Sequence, residues 1–140
     1  MAIQIRTLQT LLAFAVSAAR VQISRGNRPE SAIRYGLISA ILIALGRPVP
    51  AIISGFRTLD EQRILWQNNR RFPNASDARP VAVRSWHTLG LAYDLDHTSP
   101  SMPLFEALWR AMGGRVGRDF ATPDPGHVDF PLPGIEPPPI

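Results

Sequence analysis

Two short segments of this chain combine an apolar face with residues that bind metal ions. Residues 91–96 alternate between apolar and other side chains, which predicts a strand with Asp94 on the face away from the core. Residues 127–130 alternate in the same way and place His127 opposite the core-facing side chains. His87 lies just upstream of the first strand, in a turn-like segment. These positions could bring two imidazoles and one carboxylate to one site.

Two histidines and one carboxylate form a donor set that suits zinc. Catalytic zinc sites use three protein ligands and leave a fourth position to water, whereas structural sites are closed. The chain has no cysteine, which excludes a thiolate zinc site, a disulfide scaffold and a cysteine nucleophile. A histidine taken alone is more often an ordinary polar residue, so the prediction depends on all three residues. We predict one Zn²⁺ per chain, bound by His87, Asp94 and His127.

Three motifs surround this donor set. The first has the spacing Ser-x-His-x-x-Gly-x-Ala-x-Asp and runs from Ser85 to Asp94. The second, upstream, is Ser54-Gly55-Phe56-Arg57-Thr58 followed by Gln62. In the third, Asp124 stands three residues before His127. The motifs and their order resemble those of the zinc peptidases that cut peptidoglycan stem peptides. That family contains D-alanyl-D-alanine carboxypeptidases and phage L-alanyl-D-glutamate endopeptidases.

The resemblance covers residues 54–130, about half of the chain, and it implies roles for the motif residues. It gives the zinc to the three predicted ligands and makes Asp124 the general base, which takes a proton from water. Arg57 would donate hydrogen bonds to the substrate carbonyl or to a substrate carboxylate. Three motif residues with smaller polar side chains would also contact the substrate: Ser54, Gln62 and Ser85.

Simpler interpretations exist for several of these residues. Asp124 lies in Thr-Pro-Asp-Pro-Gly, where an aspartate can serve only the turn. Arg57 could pair with Asp60 or Glu61 at the start of the next helix. The acidic and histidine side chains whose roles stay open, either supporting the site or lying in solvent, are Asp96, His97 and Asp129.

The base position bears on the bond that is cut. Asp124 is an aspartate, as in the phage-type endopeptidases that the chain resembles, whereas the carboxypeptidases usually have glutamate there. The resemblance therefore favours an L-alanyl-D-glutamate endopeptidase, with a D-alanyl-D-alanine carboxypeptidase as the alternative. A third possibility from another class is a wall-binding or phage tail component without catalysis. Peptidoglycan is the expected partner, with phage tail proteins as further partners.

Composition limits the remaining classes. All 15 basic residues are arginine, and with 11 acidic residues they give a formal charge of +4. This charge predicts an anionic partner such as the cell wall, or reflects only codon bias. No basic motif interleaved with aromatic residues occurs, so we expect no specific nucleic-acid partner. No apolar run approaches the about 20 residues of a membrane span.

Glycine and proline residues mark the boundaries between the predicted helices, strands and loops. Helices are predicted in residues 31–45, 58–69 and 102–112, and near the N-terminus, where an apolar stripe is formed by Ile5, Leu8, Leu12, Ala15 and Ala19. Strands are predicted at residues 48–54, 91–96 and 127–130, and residues 70–84 are predicted as a loop. The predicted fold is α+β, with a small, mainly antiparallel sheet that carries the metal site and is flanked by helices.

At 140 residues the chain is predicted to form one peptidase domain. Residues 1–46 would be its helical part and residues 47–130 its motif-bearing part. Residues 131–140 contain five prolines and are predicted to be an extended arm outside the core. The N-terminus matches an export signal poorly. We therefore expect a phage lysin or virion component that acts on the bacterial cell wall.

Overall fold

The structure, a computed structural model, describes residues 5–71 and 81–140. Most of the predicted loop at 70–84 lies outside these residues. The four helices of the described part are α1 (Ile5–Ser24), α2 (Pro29–Ala44), α3 (Leu59–Arg71) and α4 (Met102–Ala111). Its four strands are β1 (Ile52–Ser54), β2 (Ala92–Leu95), β3 (Arg115–Val116) and β4 (His127–Asp129). None of the described helices is long and apolar enough to cross a membrane.

The strands form one antiparallel sheet in the order β1-β2-β4-β3. This sheet with its helices confirms the predicted α+β fold. The register places Asp94 of β2 opposite His127 of β4 and next to Ser54 of β1. A shift of one residue would turn either side chain to the other face, so the register itself assembles the site. Strand β3 has only two residues, too few to show alternation in the sequence.

The hydrophobic core lies between the sheet, α2 and α4. Tyr35 of α2 stacks on Tyr93 of β2 at 5.2 Å between ring centroids, and Phe105 of α4 stacks on Trp109 at 6.0 Å. The Trp109 ring also donates a hydrogen bond to the Asp129 carbonyl at 2.9 Å. The other buried residues of the core are Ile38, Leu42, Leu95, Met102, Val116 and Val128. This packing fixes the inner face of β2 and β4 and leaves the opposite face for the site.

The turn between α1 and α2 is tied to the segment that carries His87. The Gly90 carbonyl accepts hydrogen bonds from the Arg28 N–H at 2.8 Å and from the Ser31 hydroxyl at 2.7 Å. Gly90 has a φ of +69°, and a Cβ there would meet the backbone of Gly26 and Arg28. Glycine is therefore needed at this position for both its conformation and its close approach to the backbone.

The sequence predicts the start of α3 correctly but overestimates the length of strand β1. The capping box at the start of α3 is confirmed, because Thr58 and Glu61 exchange side chain to backbone hydrogen bonds of 3.1 Å in both directions. The strand predicted at residues 48–54 is shorter, since only Ile52–Ser54 pairs with β2. Pro48 and Pro50 have no N–H to donate to a ladder.

Helix α1 buries only part of its apolar stripe. Ala15 and Ala19 are buried, but Leu8 and Leu12 are exposed. The reason is that α1 packs on α2 through small residues: a Cβ on Gly36 of α2 would overlap the Ala15 carbonyl. Two helices this close meet over a narrow seam, which leaves larger side chains beside the seam in solvent.

The end of the proline-rich tail, predicted to be an extended arm or linker outside the core, docks on the domain. It lies antiparallel to the segment before His87, where Arg84 and Pro139 form a β-bridge. The Ile140 N–H donates to the Val83 carbonyl at 3.1 Å, and the Arg84 side chain donates to the Pro137 carbonyl at 2.9 Å. Prolines lack N–H donors but keep their carbonyl acceptors, so an extended proline segment can still dock.

Candidate metal centre

His87 is held in a single 3-10 turn, Trp86–Leu89, just before β2. The Ser85 hydroxyl caps this turn by accepting a hydrogen bond from the His87 N–H at 3.3 Å. The His87 ring is buried, and its Nδ1 lies 2.7 Å from the Gly55 carbonyl. A carbonyl only accepts, so Nδ1 carries a proton and Nε2 is the nitrogen that faces the site. Nε2 points to Asp94, with 3.3 Å to its Oδ1.

Asp94 lies between the two histidines and an arginine. Its Oδ1 faces both imidazoles, and the second distance, to Nδ1 of His127, is 3.0 Å. Its Oδ2 accepts a hydrogen bond from Arg57 at 2.9 Å. The arginine therefore fixes one oxygen and directs the other toward the histidine nitrogens.

His127 is oriented by a second aspartate on its own strand. Its Nε2 lies 3.0 Å from Oδ2 of Asp129, which leaves Nδ1 toward Asp94. Asp129 is buried and accepts two hydrogen bonds of 2.8 Å from Arg115. The Phe120 ring packs 5.7 Å from the imidazole, and the Arg115 guanidinium lies 5.2 Å from that ring. Nε2 of the imidazole is thus engaged by the outer carboxylate of Asp129, and Nδ1 faces the site and Asp94.

His87, Asp94 and His127 form a largely buried group that could hold a metal ion. One ligand atom from each residue lies within 4.8 Å of the others. Each imidazole donates its other N–H to a carbonyl or a carboxylate, the outer hydrogen bonding that metal-binding histidines almost always show. The donor set of two nitrogens and one oxygen fits zinc with an open position, and it also fits Fe²⁺.

The charges of the group depend on one another. Burial acts to raise the pKa of Asp94, but hydrogen bonds from His127 and His87 outweigh it and hold that pKa well below its usual range. Burial acts to lower the pKa of His127, but hydrogen bonds to Asp129 and Asp94 outweigh it and raise the pKa to about 9. The protonated imidazole therefore lies between two carboxylates, and its Nδ1 proton occupies the side of the ring that a metal ion would need.

Asp124 lies at the edge of this group. Its Oδ2 is 3.9 Å from Nδ1 of His127, and its side chain is 37% exposed. The turn from Asp124 to His127 closes with a 3.2 Å hydrogen bond, and Gly126 takes a φ of +87°. The aspartate does serve the turn through its backbone, and the same turn brings its carboxylate beside the ligand nitrogen. The role of Asp124 as general base stays a prediction.

Arg57 pairs with neither Asp60 nor Glu61, the partners that sequence proximity suggests. It donates to Asp94, to the Ser54 hydroxyl at 2.9 Å and to Oε1 of Gln62 at 3.2 Å. Gln62 is buried, and its amide nitrogen donates to the Ala82 carbonyl at 2.8 Å. These contacts place Arg57 at the ligand rather than at the helix start.

Hydrogen bonds within the protein occupy all three side chains that we expected to contact substrate. Ser54 and Gln62 hold Arg57, and Ser85 caps the turn of His87. Their contact with substrate stays a prediction. Asp96 accepts two hydrogen bonds from Thr98, and His97 is exposed, so the structure places both in a surface turn.

The sequence does not predict which residues hydrogen-bond to the proposed metal ligands. The sequence leaves the role of Asp129 open and gives no indication of Arg115. The available signal was that Asp129 shares the alternating face of His127, two residues away. Nothing in the sequence pairs Arg115 with Asp129, because strand β3 is too short to be recognised.

No protein-family model and no curated protein sequence matches this chain. The resemblance to the peptidoglycan peptidases therefore depends on the three motifs.

The Asp129–Arg115 pair provides a test of the metal centre. At about pH 9 and above, where a proton on His127 no longer competes with the metal, we expect Asp129→Asn to weaken metal binding by about 10- to 100-fold, as loss of a histidine's outer carboxylate typically does. Metal affinity would be measured by competition with a chromophoric chelator. Asp119→Asn is the matched control, since Asp119 also accepts two hydrogen bonds from an arginine, Arg110, but lies exposed. Equal affinity in the two variants would contradict the proposed orientation of His127.

Proposed function

We propose that this protein is a zinc-dependent hydrolase of peptidoglycan stem peptides. One observation carries the proposal: two histidines and an aspartate form a buried group within 4.8 Å, and the Asp124 carboxylate lies 3.9 Å from one of their ligand nitrogens. A ligand set beside a carboxylate outside that set is the arrangement that metal-assisted hydrolysis needs.

Each role in the proposed hydrolysis can be assigned to a residue of the site. A zinc ion held by His87, Asp94 and His127 would lower the pKa of a bound water to about 7 and polarise the scissile carbonyl. Asp124 would accept a proton from that water at Oδ2 and deliver it to the nitrogen of the leaving amine. Its partial exposure allows substrate to reach it. Arg57, bonded to Oδ2 of Asp94, would keep this ligand ionised and oriented.

The position of Arg57 supports an endopeptidase over a carboxypeptidase. A carboxypeptidase must recognise a free terminal carboxylate, for which an unengaged arginine is the natural group. Here Nε and both Nη atoms of Arg57 already donate to protein oxygens, which leaves only two of its five N–H groups for a substrate. We therefore propose cleavage inside the stem peptide, between L-alanine and D-glutamate. Its place of action would be the bacterial envelope, as a phage-encoded lysin or virion component.

Digestion of purified peptidoglycan tests the proposal. The zinc-loaded protein should create a new amino terminus on D-glutamate, leave L-alanine on the sugar and lower the turbidity of the wall suspension. Mass spectrometry identifies the termini, and Asp124→Asn with the same metal content serves as the control. Elemental analysis of the reconstituted protein distinguishes zinc from iron.

Three results would overturn parts of this assignment. Free D-alanine with unchanged turbidity would replace the endopeptidase by the carboxypeptidase. Sedimentation of the protein with walls without new termini would indicate a binding component. A stoichiometry below about 0.2 zinc per chain, at a site expected to bind one, would remove the zinc assignment.

A further inference from the structure

The hairpin of α1 and α2 has an apolar face exposed to solvent. On α1, Leu12 and Val16 are 51% and 50% exposed, and on α2, Ile33 is 48% exposed. The other large exposed aliphatic residues of the two helices include Leu8, Val21, Ile23, Leu37 and Ile43. Scattered exposed aliphatic residues are normal on a protein surface, but a continuous apolar face marks an interaction site.

Helix geometry places part of this set on one side of the hairpin. Ala15 and Gly36 mark the seam where the helices meet. At about 100° per residue, Leu12 and Val16 lie to one side of Ala15, and Ile33 and Leu37 lie to one side of Gly36. Because the helices are right-handed and antiparallel, the two stripes fall on the same side of the seam. Four aliphatic side chains thus form one surface, here called the hairpin face.

The positive charge of the protein belongs to the same hairpin. Residues 1–47 contain six arginines and one acidic residue, a formal charge of +5. Residues 48–140 contain nine arginines and ten acidic residues, a formal charge of −1. The single acid of the hairpin, Glu30, lies 3.5 Å from Arg28, whereas Arg20 and Arg25 are exposed. An apolar surface on a cationic element calls for a partner that is both apolar and anionic.

An anionic lipid bilayer has both properties. We propose that the hairpin face binds the surface of a bilayer that contains anionic phospholipids, with α1 and α2 lying in its plane. Aliphatic side chains would enter the boundary of the acyl chains, while arginines would reach the phosphates. A hydrated anionic polymer offers nothing to cover the aliphatic residues. A second copy would bring together two such segments, each with a charge of +5 over residues 1–47, which electrostatic repulsion opposes.

Such binding would orient the metal centre and is independent of the proposed catalytic activity. The α1–α2 turn is bonded to Gly90, three residues after His87. A hairpin held on a bilayer would therefore hold the metal centre at a fixed distance from it.

Co-sedimentation of the full chain with lipid vesicles tests the proposal. One vesicle preparation is pure phosphatidylcholine, and the other contains phosphatidylglycerol as well. We expect binding to the second that weakens with added salt. The double variant Leu12→Gln, Ile33→Gln should reduce the partition coefficient at least tenfold. The double variant Arg20→Gln, Arg25→Gln should reduce it roughly 10- to 30-fold.

The matched control is Ile53→Gln with Ile64→Gln, which removes two aliphatic residues, 70% and 55% exposed, from outside the hairpin. It should bind vesicles like the wild type. Circular dichroism and sedimentation velocity show whether each variant is folded and monomeric. No binding to anionic vesicles, or equal loss in the control, would overturn the proposal. So would a wild-type dimer that Leu12→Gln with Ile33→Gln dissociates while vesicle binding stays absent, since a second copy would then cover the face.

Discussion

Asp124→Asn is expected to lower the rate of stem-peptide cleavage by about 100-fold or more, with metal content unchanged. Asparagine keeps the size of the side chain and the backbone bonds of the turn, but it cannot accept a proton at neutral pH. The proposed metal ligands are three other residues, so the site should still bind one ion. Rate and metal content are both measured on the same preparation, which separates loss of the base from loss of the ion.

Two further variants serve as controls for Asp124→Asn. Asp96→Asn changes a nearby carboxylate whose hydrogen bonds go to Thr98, and it should leave the rate close to that of the wild type. His127→Ala should lose both metal and activity. A near-normal rate for Asp124→Asn would assign the base elsewhere. Asp129 is a poor substitute because it is buried and bonded to Arg115, so His97 would be the residue to test next.

Metal affinity is expected to rise about tenfold per pH unit from about pH 6 to 8 and to level off near pH 9. The sign follows from His127, whose pKa in the folded, metal-free protein is about 9. Below that pH the ring carries a proton on Nδ1, and a metal ion must displace it. Raising the pH removes this competition, so binding strengthens until the imidazole is neutral without the metal.

Calorimetry measures the proton directly. Titration of zinc at neutral pH in two buffers with different ionisation enthalpies should show release of about one proton from His127 per metal bound. Asp129→Asn should shift the levelling of affinity to lower pH, because Asp129 is one of the two carboxylates that raise the pKa of His127. Affinity that is independent of pH across this range would contradict the assignment of His127 as an Nδ1 ligand.

Much of the site follows from local patterns. In residues 91–96 and 127–130, apolar side chains alternate with other side chains. Because successive side chains of a strand point to opposite faces, this alternation shows directly which of them face the core. It therefore predicts that Asp94 and His127 both point away from the core, whereas their pairing depends on the register between β2 and β4. The capping box at Thr58 and Glu61 is equally local, because it involves two residues one helical turn apart.

Contacts between distant residues could not be obtained this way. Arg57 is 37 residues from Asp94 and has two acids within four residues of it, yet it bonds to the distant one. The choice depends on how β1 aligns with β2, which no local pattern encodes. The link from Arg115 to Asp129 likewise exists only because β3 pairs with β4. Both arginines act on the ligands, so the electrostatics of the site are a property of the sheet.

Side-chain type and periodicity identify the candidate donor residues, the outer faces of β2 and β4, and the α+β class, so these follow from the sequence. The fold selects which nitrogen of each histidine faces the site, because that depends on the hydrogen bonds to Gly55 and Asp129. It also decides that Leu12 is exposed while Ala15, three residues away, is buried. Periodicity marks a helix stripe as apolar, but how much of the stripe is covered depends on how closely the neighbouring helix approaches.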